Sequence, residues 1–262
     1  MAQFRTFSAR LLRSGPLSEF TKHIEFEVQG VPRFGFVAGQ WLSVKASTPE
    51  GEEITRAYSI ASAPSENGRF AFCLNRVQDG FMSNYLCNLG EGAEISFQGP
   101  FGDFILRPPL RDTLMIATGT GIAPFRSMLH GLFESGREGE GAGGRAGACP
   151  ELVEGTPVAP LHQTQFWLLF GSRCERDIYY REEFDCLAAE HSNFHFLPTL
   201  SRGGAEWKGL RGYVQEHVRE IVDSRTDIQA YICGLDKMVN ANRELLKSLG
   251  WDRKSIRYEK YD

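Results

Sequence analysis

Four consecutive residues, Arg56-Ala57-Tyr58-Ser59, put a cation, an aromatic ring and a hydroxyl within reach of one ligand. In an extended strand, residues two apart share a face, so Arg56 and Tyr58 point one way and Ser59 the other. A guanidinium forks onto phosphate. A phenol ring stacks on a flat heterocycle, and a hydroxyl bonds a ring edge where the strand bends. The set suits a planar cofactor that carries phosphate. Taken alone, it also reads as a plain barrel strand with one exposed arginine and one half-buried tyrosine.

Two further stretches carry similar chemistry. In Gly80-Phe81-Met82-Ser83, the glycine allows a tight turn and Ser83 is expected to cap the helix that follows. A helix start attracts phosphate, so a pyrophosphate can lie between this turn and Arg56. An ordinary serine cap is the simpler alternative. Between Met115 and Leu129, an apolar strand runs into Gly119-Thr120-Gly121-Ile122-Ala123-Pro124. The glycines let a ligand approach the backbone, and Pro124 sits where a helix begins. The spacing is not the G-x-G-x-x-G fingerprint, and a tight strand–helix turn explains it equally.

The elements that must position these residues fall into two regimes. Up to about residue 105, segments such as "TFSARLLRS", "HIEFEVQG", "QWLSVKAS", "ITRAYSIAS", "RFAFCLNRVQ" and "AEISFQGPFG" alternate or carry β-branched and aromatic residues between turn signals. Six short strands with one short helix, "MSNYLCNLG", predict an antiparallel β-barrel. The double proline in "LRPPLRD" suits a linker. Beyond it, apolar strands alternate with helical stretches up to the closing "SIRYEKY", the pattern of a doubly wound parallel α/β sheet. The expected division is a barrel domain over 1–108 and an α/β domain over 109–262. Residues 136–164, rich in Gly, Ala, Glu and Pro, read as a loose surface insertion that buries little.

Bulk properties exclude several classes. The 262 residues are 42% hydrophobic, and no apolar run has the length of a membrane span. The start of the chain lacks a secretory signal pattern, and a net charge of −4 argues against nucleic-acid binding. The six cysteines, Cys73, Cys87, Cys149, Cys174, Cys186 and Cys233, form no C-x-x-C pair and no ferredoxin-type spacing. No metal site is expected, and free thiols fit a cytoplasmic chain.

The motifs Arg56-Ala57-Tyr58-Ser59, Gly80-Phe81-Met82-Ser83, Gly119 to Pro124 and Cys233-Gly234-Leu235 follow one another in this order. In order and spacing the chain resembles the ferredoxin–NADP(+) reductase family over nearly its whole length. The resemblance implies an FAD-binding barrel followed by an NAD(P)-binding α/β domain. By it, Arg56 and Ser83 hold the FAD pyrophosphate, Tyr58 stacks on the isoalloxazine, and Ser59 lies near its hydride-accepting nitrogen. Cys73, Leu74 and Asn75 line the FAD, and Thr120 marks the boundary with the nicotinamide. The 119–124 turn and Cys233-Gly234-Leu235 frame the nicotinamide half of the second cofactor. Tyr261 corresponds to the family's C-terminal aromatic over the flavin, with Glu259 two residues before it. The chain departs from the pattern by one added residue, Asp262. Ser59, Cys233, Glu259 and Tyr261 are the residues the resemblance puts around the reacting atoms.

The resemblance also bears on the nucleotide. A 2′-phosphate needs cations and hydroxyls, which Ser172-Arg173 and Ser201-Arg202 offer, so NADP(H) is expected. No tyrosine follows at the place where plant-type members stack the adenine; Trp207 or Lys208 stands in that region instead. The implied activity exchanges a hydride with NADPH and single electrons with a separate carrier, a ferredoxin or flavodoxin. Arg5, Arg10, Arg13 and Lys22 are candidate docking cations, and a monomer is expected. Two alternatives share these motifs: an NADH-dependent reductase component of an oxygenase, and a flavin-binding regulatory subunit without turnover.

Overall fold

The computed structural model describes residues 5–65, 67–133 and 161–261. Their contacts divide them into two units, residues 5–106 with 123–133, and residues 107–122 with 161–261.

The first unit is built on β1 (Thr6–Pro16), β2 (Thr21–Gln29), β3 (Trp41–Ser47), β4 (Glu53–Ser59), β5 (Arg69–Asn75) and β6 (Glu94–Phe101). Helix α1 (Phe81–Asn88) connects β5 to β6. The strands pair antiparallel in the order β4-β3-β6-β1-β2-β5. A bridge from Ile60 to Phe72 joins the two outer strands, and the Ala61 N–H donates to the Ala71 carbonyl at 2.7 Å. The sheet thus closes into the expected barrel. Closure removes the unpaired edges that would otherwise invite aggregation.

Alternation decides what fills it. Ala9 and Leu11, Ile24 and Phe26, Leu42 and Val44, Phe70 and Phe72, and Ile95 and Phe97 all point inward and are buried. The rings of Phe70 and Phe97 meet edge-on at 5.2 Å, and those of Phe26 and Phe70 stack at 5.4 Å. Each such ring contributes roughly 1.5–3 kcal/mol of burial. Helix α2 (Ala123–Phe133) belongs to this unit, and the Arg126 guanidinium donates to the Ala61 carbonyl at 2.7 Å.

The second unit holds β7 (Thr113–Thr118), β8 (Phe166–Ser172), β9 (Phe194–Leu200), β10 (Leu210–Arg211), β11 (Gln229–Leu235) and β12 (Ile256–Tyr261). Helices α3 (Arg181–Glu190), α4 (Val214–Val222) and α5 (Asp236–Ser248) connect them. All six strands run parallel in the order β10-β9-β8-β7-β11-β12. Strand β10 has only two residues, too few for a periodic signal. Leu114, Met115, Ile116 and Ala117 are buried without alternation, as in a strand covered on both faces. Val214, Val218 and Val222, four apart on α4, form its buried stripe.

The chain steps from β7 outward to β10 and then returns to β11 on the other side of β7. That reversal opens a crevice beyond the carboxyl ends of β7 and β11, where sheets of this kind bind ligands.

Residues 136–160 of the expected insertion lie outside the described residues. Its last four residues do not fit the expectation of a loose segment. Thr164 is buried, and the Asn193 side-chain amide donates to the carbonyls of Leu161 and Thr164, both at 2.8 Å. A satisfied backbone can be buried regardless of the composition that precedes it.

Replacing Phe97 with alanine should lower unfolding free energy by about 3–5 kcal/mol. The urea midpoint should fall at constant slope. A loss below about 1 kcal/mol would show that the barrel does not rest on this ring cluster.

Candidate functional site

In the first unit, the β3–β4 register sets Arg56 opposite Val44 and Tyr58 opposite Leu42. Val44 and Leu42 face the core, so Arg56 and Tyr58 share that face, as the strand period predicts. Tyr58 is half-buried, its ring 5.4 Å from that of Phe72. Burial pushes its phenol well above the ordinary tyrosine range, while the charge of nearby Arg56 pulls weakly the other way. The hydroxyl is therefore a neutral donor at any physiological pH. Arg56 is exposed; it donates to the Thr55 carbonyl at 2.9 Å and forms no ion pair among the described residues.

Ser59 is buried at the end of β4, which the Ile60–Phe72 bridge brings beside β5. Strand β5 supplies Cys73, Leu74 and Asn75. Leu74 belongs to the barrel core, Cys73 is buried as well, and Asn75 is exposed. Ala57, between Arg56 and Tyr58, is exposed.

The 80–83 turn differs from expectation. Helix α1 already starts at Phe81, with Gly80 as its cap residue, so Ser83 lies inside the first turn. Its hydroxyl accepts from the Val77 N–H and donates to the Gly80 carbonyl, both at 3.1 Å. Ser83 thus closes the 77–80 loop onto the helix. The first N–H groups of α1 still lack intrahelical acceptors, as at any helix start. Met82 is buried, and Phe81 stacks on Tyr85 at 6.1 Å. An unpaired guanidinium, a helix start and a half-buried aromatic ring form a donor set that fits a flat cofactor with a pyrophosphate.

In the second unit, the switch point is framed by the turn after β7 and the end of β11. Gly119 to Ile122 forms a single tight helical turn, and Ala123 and Pro124 begin α2. Pro124 needs no hydrogen-bond acceptor there. A side chain at Gly121 would place its Cβ 2.3 Å from the Cys233 carbonyl oxygen. Gly234 has φ of +146°, and a Cβ there would stand 2.6 Å from the Thr118 hydroxyl. That hydroxyl oxygen is buried and has no hydrogen-bond partner among the described residues. An unsatisfied hydroxyl at a switch point fits a ligand that carries amide or hydroxyl groups. Thr120 is half-buried in the same turn.

The register of β11 with β12 sets Cys233 opposite Glu259 and Leu235 opposite Tyr261. The structure thus brings Cys233, Glu259 and Tyr261 together, while Leu235 is 63% exposed. Asp262 lies outside the described residues. Burial pushes the Cys233 thiol well above its ordinary value. The Glu259 charge pushes the same way, and the neighbouring Tyr261 side chain offsets part of the rise. Cys233 is a neutral, enclosed thiol, not a nucleophile.

The two candidate phosphate stretches are neighbours. The Ser201 and Arg202 N–H groups donate to the carbonyls of Ser172 and Arg173 at 3.0 and 2.8 Å. The Ser172 hydroxyl turns inward to the Asp177 carbonyl at 2.8 Å. Arg173, Ser201 and Arg202 are exposed, and neither arginine forms an ion pair among the described residues.

One expectation needs correction. Trp207 is 8% exposed and its indole N–H donates to the Leu210 carbonyl at 2.8 Å, so its ring is committed to the loop and not offered to a ligand. An exposed tyrosine does follow: Tyr213 is 62% exposed at the start of α4. The sequence reading passed over it, although it stands twelve positions after Ser201. Two of the four N-terminal cations are paired with acids. Arg10 and Arg13 pair with Glu27 and Glu25, Lys22 donates to the Cys87 carbonyl at 2.9 Å, and Arg5 lies over the Phe7 ring.

Iodoacetamide at about pH 8 should label exposed Cys186 and spare Cys233 until denaturant opens the sheet. The folded thiol holds its proton more tightly than the unfolded one. Its contribution to stability is therefore complete at lower pH and is lost as pH rises past 9. Cys233→Ala should flatten that alkaline loss. Labelling of Cys233 in the folded protein would refute the enclosed thiol.

Comparison with known proteins agrees with this geometry. The model of the oxidoreductase FAD-binding domain family matches residues 8–105, and that of the oxidoreductase NAD-binding domain family matches residues 115–244. The chain is 41% identical to "Ferredoxin--NADP reductase B" of Sorangium cellulosum over the whole length of both. It is 26% identical to the toluate 1,2-dioxygenase electron transfer component of Pseudomonas putida, covering 97% of this chain and 67% of that one. Among solved structures, the Amycolatopsis cytochrome P450 reductase GcoB superposes with a TM-score of 0.79 at 23% identity, over 99% of this chain and 71% of that one. A Neisseria gonorrhoeae ferredoxin NADP+ reductase with bound FAD and NADP gives 0.73 at 20% identity, over 98% of this chain and 99% of that one.

Proposed function

The chain belongs to the ferredoxin–NADP reductase family, and from that premise we propose how its own residues divide the work. It is an FAD-dependent oxidoreductase with an NAD(P)-binding domain. FAD, when bound, supplies the redox chemistry by taking a hydride from a reduced nicotinamide and releasing electrons singly. Arg56 and the first N–H groups of α1 hold its pyrophosphate, and Ser83 fixes the loop that leads into that helix. The Tyr58 ring gives a flat apolar face whose hydroxyl stays neutral. Ser59, a buried hydroxyl, orients a ring edge, and Cys73, Leu74 and Asn75 line the same strand. Gly119 to Pro124 and Cys233-Gly234-Leu235 admit the nicotinamide against bare backbone. Cys233, Glu259 and Tyr261 pack around it and exclude water. No residue of this set is asked to act as nucleophile.

NADPH is the preferred nucleotide in this reading. The observation that carries it is the pair of uncompensated guanidinium groups, Arg173 and Arg202, at the adjoining ends of β8 and β9, with the Ser201 hydroxyl beside them. A 2′-phosphate is the ligand such a set suits. Tyr213 offers the exposed ring for the adenine. The electrons pass to a separate cytoplasmic carrier, a ferredoxin or flavodoxin. A second reading, an NADH-dependent oxygenase reductase, draws on the similarity to the toluate dioxygenase component.

Anaerobic stopped-flow mixing of the holoenzyme with each nucleotide separates these readings. Flavin bleaching should be at least about 10-fold faster with NADPH than with NADH. The reverse preference favours the oxygenase-reductase reading, and no bleaching with FAD bound overturns both.

Arg56→Leu should weaken FAD retention roughly 10- to 100-fold, the worth of a charge-assisted bond. Flavin fluorescence released on dilution measures this, and unchanged retention would remove Arg56 from the site.

A further inference from the structure

Strand β12 is the edge of the second sheet. Among the described residues it pairs only with β11, and its final pair is Tyr261 with Leu235. A strand end with one neighbour opens readily. Side chains along β12 alternate between two faces. Ile256, Tyr258 and Lys260 share one face, and Arg257, Glu259 and Tyr261 share the other.

Helix α5 tracks the first of these faces. Ile256 is buried in the same core cluster as Val239 and Leu246 of α5. Beyond it the contacts become polar and connected. Lys260 Nζ meets Asp236 Oδ1 at 2.5 Å. The other oxygen of Asp236 accepts from the Asn240 amide at 2.7 Å. The Asn240 oxygen lies 3.5 Å from Arg243 Nη1, and the Arg243 guanidinium stands 3.7 Å over the Tyr258 ring. Asp236, Asn240 and Arg243 are spaced four and three apart, so they line one face of the helix. An isolated exposed ion pair adds little, but charges joined in a network add more, as does a cation over an aromatic face. Asp236 also sits in the first turn of α5, where the helix dipole favours a negative charge.

This ladder ends beside the candidate site. Asp236 directly follows Cys233-Gly234-Leu235, and Lys260 stands between Glu259 and Tyr261. One ion pair therefore ties the segment that frames the crevice to the strand end that supplies two of its side chains. Lys260 and Tyr261 leave opposite faces of the strand, so the pair fixes the backbone without entering the crevice.

We propose that Asp236 and Lys260 are positioning residues. Their ion pair, extended through Asn240 and Arg243 to Tyr258, fixes the end of β12 and so holds Glu259 and Tyr261 against Cys233 during hydride transfer. The inference rests on the reading that these three side chains pack around the nicotinamide. Asp236 and Lys260 act through the backbone they hold.

The test makes two measurements on the FAD-loaded protein. Amide hydrogen exchange in a peptide spanning 256–262, read by mass spectrometry, reports how often the strand end opens. Anaerobic stopped-flow reports flavin reduction by a saturating concentration of the nucleotide that the parent oxidises faster. The variants are Asp236→Asn, Lys260→Met, the two combined, and Lys260→Arg. Asp236→Asn and Lys260→Met should each speed exchange in that peptide about 5-fold and slow flavin reduction about 3- to 5-fold. Combining them should add less than about 2-fold, because the two residues form one contact. Lys260→Arg keeps the cation and should stay within about 2-fold of the parent in both measurements.

Unchanged exchange in both single variants overturns this inference alone. Equal acceleration in a peptide spanning β7, residues 113–118, would mark a general loss of stability and overturn it too. Faster exchange confined to 256–262 with unchanged flavin reduction overturns the reading that Glu259 and Tyr261 serve hydride transfer, and the inference with it. Flavin absorbance and Tm report folding. If Asp236→Asn fails to fold, Lys260→Met carries the same comparison.

Discussion

No side chain fits between the turn after β7 and the end of β11. The Cys233 carbonyl lies so close to Gly121 that even a methyl group would overlap it, and Gly234 faces the Thr118 hydroxyl with the same lack of room. This close backbone approach is the constraint on which the second unit depends. It forces glycine at both positions, and it leaves backbone, not side chain, lining the switch point of the sheet. The buried hydroxyl of Thr118 without a partner lies in the same place. The glycines let the turn after β7 pack directly on the end of β11 at the point where the strand order reverses. The chemistry of a ligand bound there need not come from the protein.

The first unit prepares its surface differently. Its barrel is closed by a single bridge and filled by phenylalanine rings, so strand positions at the barrel end are set by packing and not by ligand. Tyr58 is half in that core, which holds its ring and raises its pKa, while Arg56 two residues earlier is free of the core. The strand period therefore yields both a rigid aromatic face and an available cation from one short segment. Preorganisation of this kind costs little, because the barrel would fold with the same register in any case.

Much of this was legible in the sequence because it is periodic or glycine-marked. The six barrel strands, the alternation of strand and helix after residue 112 and the shared face of Arg56 and Tyr58 follow from spacing alone. The misses are of another kind. Ser83 looked like a cap, but its hydroxyl reaches back over a loop of six residues to Val77, a contact that no local rule signals. Trp207 stands among Gly and Lys residues, yet its indole is buried because Arg211 and two glycines fold the loop around it. Tyr213 was overlooked for the converse reason, since it begins an amphipathic helix and its exposure depends on where α4 starts. A residue's availability is a property of tertiary packing, and composition reports it poorly.

The distribution of paired and unpaired cations carries the same distinction into electrostatics. On the barrel surface, Arg10, Arg13, Arg69 and Lys45 each face a glutamate from a neighbouring strand. Such exposed pairs add little stability, about 0–1 kcal/mol each, but they cancel charge and suppress stray contacts. Arg56, Arg173 and Arg202 have no carboxylate partner among the described residues, although acids outnumber bases in the chain by 33 to 29. A carboxylate beside any of them would have to be displaced before a phosphate could bind, and its repulsion would oppose the ligand's own charge. Leaving these three without a carboxylate costs little while they remain hydrated, and it preserves their full charge. Arg211 is a third case, satisfied by neutral carbonyls that hold the guanidinium without cancelling its charge. The partners thus differ in kind: glutamates for the barrel-surface arginines, loop carbonyls for Arg211, and no carboxylate for Arg56, Arg173 and Arg202 among the described residues.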